Sequence, residues 1–133
     1  MLSSTKKVQS LLPSLARTSI LLVSPHSEDQ ATLQRILQPR GGTVARCSSV
    51  QEAATEMGSS ATDVVLCESE LSWKTILATC ESLPKCPRLL VVSRCADERL
   101  WAEVLNLGGY DVLLKPFEPM EVTRVVAAAT MVV

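Results

Sequence analysis

From residue 19 onward, short unbroken apolar runs alternate with segments of helical periodicity, and this alternation limits the fold more than any other feature. Residues 20–23, 43–47, 64–67, 89–92 and 112–114 read as strands. Between them, Leu33, Ile36 and Leu37 share one helical face, as do Val50, Ala53, Ala54 and Met57. Ile76, Leu77 and Cys80 mark a third helix with Trp73 near its start, and residues 97–107 a fourth, stopped by Gly108 and Gly109. Pro119 suits the first turn of a last helix bearing Val122, Val125, Val126 and Ala129. Ser27 with Gln30 and Ser49 with Glu52 have capping-box spacing, and Pro39 with Gly41 and Gly42 ends the first helix. The strand segments are continuous runs rather than alternations, as burial on both faces of a parallel sheet requires. About five strands interleaved with about five helices imply a doubly wound α/β domain with right-handed crossovers.

In such sheets the working site lies beyond the carboxyl ends of the strands. The residues at those ends are Ser24-Pro25, Cys47-Ser48, Glu68, Ser93-Arg94 and Lys115-Pro116. A lysine closing an apolar strand needs an anion to offset its desolvation. Glu68 supplies one, and Ser93 can donate to the carboxylate. These residues alone leave two readings open: an ion pair that merely closes the sheet edge, or a retained site.

Other classes fall away on composition. The chain has 133 residues, 47% hydrophobic and 20% charged, which is the size and balance of one globular domain. A net charge of −1 and 3% aromatic residues give no basis for direct nucleic-acid binding. No apolar run approaches the roughly 20 residues needed to span a bilayer. Cysteines 47, 67, 80, 86 and 95 form no C-x-x-C pair, and Cys67 and Cys95 close apolar runs. This favours reduced, buried thiols and a cytoplasmic location. His26, the one histidine, has no zinc-ligand spacing to any cysteine and completes no catalytic triad. No glycine-rich phosphate loop follows the first strand. No cofactor and no metal are expected. Residues 1–18 contain Lys6, Lys7 and Arg17 and no acid, and read as a tail or linker, with a transit peptide as the alternative.

Three segments carry a family resemblance. Residues 63–68 (DVVLCE), 87–93 (PRLLVVS) and 107–117 (LGGYDVLLKPF) resemble the third, fourth and fifth strands of bacterial response-regulator receiver domains. The resemblance runs from about residue 19 to residue 131, most of the chain, and implies a receiver-like domain over residues 19–133. It implies a flavodoxin-like five-stranded parallel sheet of order 2-1-3-4-5 and a cis bond before Pro116. It also implies a face formed by the fourth helix, fifth strand and last helix for dimers or output partners, on which Trp101 and Val112 lie.

The departures from the pattern matter more. Glu68 stands where the family has its phosphoacceptor aspartate, and Ser24 and Pro25 where it has its magnesium-binding acids. Magnesium needs one or two carboxylates in near-octahedral geometry, which this set supplies poorly. Glu28 and Asp29, further on, read as acids serving the helix dipole. Arg94 replaces a small residue and can fill the phosphoryl space or pair with Glu68. Val112 replaces the aromatic switch residue, and Tyr110 is out of register for it. The expectation is a non-enzymatic pseudo-receiver: a phosphorylation-independent module of two-component-type signalling. It would bind a protein partner (an output domain, a kinase or a second copy, as a homodimer). Its vestigial site would comprise Glu68, Ser93, Lys115, Arg94, Ser24 and Pro25. The alternative is a small-molecule or anion sensor using the same edge, in a pocket bounded by Arg94.

Overall fold

The computed structural model describes residues 13–95 and 97–131. The elements run β1 (Ser19–Val23), α1 (Ser27–Leu37), a single 3-10 turn (Gln38–Arg40), β2 (Thr43–Cys47), α2 (Val50–Ser59), β3 (Val64–Glu68), α3 (Trp73–Ser82), β4 (Arg88–Ser93), α4 (Glu98–Leu107), β5 (Asp111–Leu114) and α5 (Pro119–Met131). The strands form one five-stranded sheet of order β2-β1-β3-β4-β5. Every pairing is parallel.

Strand alternation divides the core into two layers. Ile20, Leu22, Val64, Leu66, Leu90, Val92 and Leu113 pack with α1 and α5 through Leu33, Leu37, Val122 and Val126. Leu21, Val23, Val65, Cys67, Leu89 and Val91 pack with α2, α3 and α4 through Ala53, Met57, Ile76, Leu77 and Val104. β3 is buried at every position, as the central strand of a two-faced sheet must be. Leu15, expected within a tail, is fully buried in the first layer, and its N–H donates to the Arg40 carbonyl. The folded unit therefore includes residues N-terminal to β1, while residues 1–12 lie outside the described residues.

Local signals succeed where the chain has one choice. Ser49 caps α2 by accepting the Glu52 N–H, and Glu52 reaches back to the Ser48 N–H. Gly41 takes a φ of 103° after the 3-10 turn, against the Ala16 backbone, a conformation open to glycine and strained for other residues. The capping box expected at Ser27 and Gln30 does not form. His26 is the N-cap of α1 without a side-chain cap bond, and Gln30 is turned inward instead. Its amide donates to the carbonyls of Ser24 (3.0 Å) and Cys47 (2.7 Å), tying α1 to the ends of β1 and β2.

Candidate functional site

Three strands end together at the carboxyl edge, and α1 begins beside them. Glu68 is the last residue of β3 and follows Val64 and Leu66 on the layer facing α1 and α5. That parity turns its carboxylate into the protein, where it is 2% exposed. Lys115 follows β5, and its side chain is 10% exposed. Its Nζ lies 2.6 Å from Glu68 Oε2 and 2.5 Å from Asp29 Oδ2. The Asp29 contact is a hydrogen bond. The Glu68 contact is a close ion pair that sets the ammonium against the buried Oε2. The Lys115–Pro116 bond is cis.

Burial alone would lower the Lys115 ammonium's pKa. The Asp29 hydrogen bond and the Glu68 contact more than offset it, and the net shift is upward. The lysine is thus held charged between two carboxylates. Asp29 is the residue that sequence reasoning missed. It stands in the first turn of α1, where an acid is explained by the helix dipole, but its carboxylate is bound to Lys115.

The other expected members are placed differently. Ser93 is buried but follows Leu89 and Val91, which face the opposite layer from Glu68. Its hydroxyl accepts the Cys95 N–H (3.2 Å) and makes no bond to Glu68. Arg94 is exposed and forms no ion pair with Glu68, so it does not fill the place given to it. Ser24 shapes the turn into α1, its hydroxyl accepting the His26 N–H at 3.0 Å, and Pro25 is exposed. His26 Nε2 in turn lies 3.3 Å from Glu70 Oε2. Among the described residues, His26, Glu68 and Glu70 are the one group of metal-ligand side chains drawn close together.

The cavity between α1 and the strand ends, lined by Ser24, Asp29, Gln30 and Glu68, measures about 10 Å³. That is room for one water at most. A larger groove of about 340 Å³ lies on the α4–β5–α5 face, lined by Cys95, Asp97, Trp101, Val112, Leu114 and Glu121. Trp101 is 51% exposed there. Its indole N–H donates to Asp111 Oδ1. Trp73, by contrast, is buried. All five cysteines are free. Burial, aided by the nearby Glu68 charge, pushes the Cys67 thiol up to about 12, and burial does the same to Cys80. Cys95, expected to be buried, is exposed.

No protein-family model and no curated protein matches the chain. Solved structures do. A response regulator from Thermotoga maritima superposes with a TM-score of 0.79 at 22% identity, over 86% of this chain and 98% of that one. A signal receiver domain of an HD domain-containing protein from Pseudomonas fluorescens Pf-5 gives 0.75 at 25% identity, over 85% and 94%. A two-component response regulator from Clostridium difficile gives 0.76 at 20% identity, over 85% and 95%. The chain has the receiver fold. Within that fold, the Glu68–Lys115 pair occupies the carboxyl edge of the sheet between β3 and β5. Among the described residues no helix is long and apolar enough to cross a membrane.

Proposed function

We propose that this chain is a receiver-like module of two-component-type signalling that works without phosphoryl transfer and acts by binding a protein partner in the cytoplasm. The observation that carries the reading is the buried contact between Glu68 and Lys115. By resemblance, Glu68 stands at the phosphoacceptor place and Lys115 at the place of the lysine that meets the phosphoryl group. Here the lysine is already engaged by two fixed carboxylates. Neutral Ser24 and Pro25 supply no carboxylate for magnesium. A glutamate carries less charge and fewer acceptor oxygens than a phosphorylated aspartate, so the pair holds one arrangement rather than switching between two.

The partner would dock on the α4–β5–α5 face, where Trp101, Val112 and Leu114 line an open groove. An exposed tryptophan is the side chain most able to anchor an interface. The sensor alternative is less favoured, because the cavity beside Glu68 takes no more than a water and Arg94 does not bound it. The test is intact-mass spectrometry after incubation with acetyl phosphate and magnesium. No phosphorylated species is expected. A stoichiometric phosphoryl adduct would overturn the reading.

A further inference from the structure

We propose that the groove between α4, β5 and α5 is the seat of this chain's own amino-terminal segment, residues 1–12, held there by its two lysines. The groove suits a cation carried on an apolar chain. Its lining sets three carboxylates, Asp97, Glu98 and Glu121, round Trp101, Val112 and Leu114, and contains no lysine or arginine. Trp101 is half exposed, and the bond from its indole N–H to Asp111 holds the ring in place. An ammonium is attracted both by carboxylates and by the face of such a ring. Lys74 already stands over Trp73 in this way, 5.8 Å from the ring centroid.

Charge selects the occupant. A second copy docked by the same face would set these carboxylates against their own counterparts, and like charges brought together oppose docking. Residues 1–12 (MLSSTKKVQSLL) carry the opposite pattern: Lys6 and Lys7 with no acid, among Leu2, Val8, Leu11 and Leu12. The segment is also long enough. It joins the described residues at Pro13, whose carbonyl accepts from the Arg40 guanidinium beside the amino end of β2. In the sheet order, β5 lies three strand steps from β1, about 14 Å across. Leu114 ends β5, a further strand length of about 17 Å along the sheet. Fully extended, residues 1–12 span up to about 40 Å. Seated in the groove, the segment covers Trp101 and Leu114, and a partner that takes this face must displace it. That consequence rests on the proposed function; the seating itself does not.

The test is acrylamide quenching of Trp101 in the whole chain. Trp73 is buried, and its share is removed by subtracting the matching Trp101→Phe chain. The paired change Lys6→Glu and Lys7→Glu should unmask Trp101, raising its quenching and moving its emission to longer wavelength. The paired change Glu98→Lys and Glu121→Lys, at exposed positions of the groove, should do the same. Combining both pairs should restore the protection, which a general loss of stability would not do. Circular dichroism checks that each variant keeps its fold. Equal accessibility of Trp101 in the parent and in the Lys6→Glu, Lys7→Glu chain overturns the seating, as does failure of the combined chain to recover protection. Protection that vanishes on dilution would place the segment on a second copy and overturns its seating within one chain. None of these readings involves phosphoryl transfer, so this proposal and the acetyl phosphate measurement can fail separately.

Discussion

β3 is flanked by an acid–lysine pair at each end, and the two pairs live in different solvents. At the amino end, Asp63 meets Lys85 at 2.7 Å, with the lysine side chain 71% exposed. Asp63 also accepts the Ser19 N–H at 2.8 Å, holding the start of β1 beside β3. At the carboxyl end, Glu68 and Lys115 meet at 2.6 Å with both side chains nearly out of water, and Asp29 as a third member. The distances are almost equal, so distance does not rank the pairs. Solvent does: an exposed pair competes with water and salt, while a buried one carries a desolvation cost that its partner must cover. The amino-end pair fastens a strand. The carboxyl-end cluster holds charge where a packed edge would otherwise exclude it.

The contrast can be broken most sharply by removing each lysine. Lys115→Ala leaves Glu68 buried beside Asp29 with no cation, and should cost roughly 3–5 kcal/mol in urea unfolding. An unchanged midpoint would mean the pair contributes nothing. Asp63→Asn keeps the shape but weakens the acceptor for Ser19 and Lys85, and should cost on the order of 1–2 kcal/mol. Lys85→Ala should cost less than about 1 kcal/mol, and added salt should erase the difference from the parent. A larger, salt-resistant loss there would erase the distinction between the two ends.

Acid and base separate the ends further. The Lys115 ammonium is raised above its ordinary value. Its contribution is therefore fully present below about pH 10.4 and is lost as pH rises through the folded value. For Asp63, burial acts to raise the pKa, but the Lys85 ammonium and the Ser19 N–H outweigh it and the net shift is downward. Its contribution is present above about pH 3.9 and is lost as pH falls through the lower folded value. Thermal unfolding followed across pH should lose the alkaline step in Lys115→Met and the corresponding acid component in Asp63→Asn. Steps that survive the matching substitution would refute the assignment.

The sheet was legible because strand runs and helical faces repeat with fixed periods, and a parallel sheet admits few orders. Glu68 meeting Lys115 was legible for a related reason: both close strands at one edge, and a lysine there needs an anion. Asp29 was not, because an acid in a first helical turn already has an explanation in the helix dipole. Gln30 left a signal that was misassigned. It stands in line with Leu33 and Leu37 on the inward face of α1, where a polar residue must find partners, and it finds two carbonyls. Ser93 and Arg94 failed differently. Alternation turns Ser93 away from Glu68, and beyond the strand end no period fixes where Arg94 points. The His26–Glu70 approach joins residues far apart in sequence, and no spacing rule reveals it.

The central claim is that Glu68 and Lys115 are energetically bound to each other and not merely adjacent. A double-mutant cycle with Glu68→Gln and Lys115→Met, read by urea unfolding, measures that directly. The account predicts a coupling energy above about 1 kcal/mol that persists in high salt, where the matching Asp63→Asn and Lys85→Met cycle falls toward zero. A Glu68–Lys115 coupling indistinguishable from zero would contradict it.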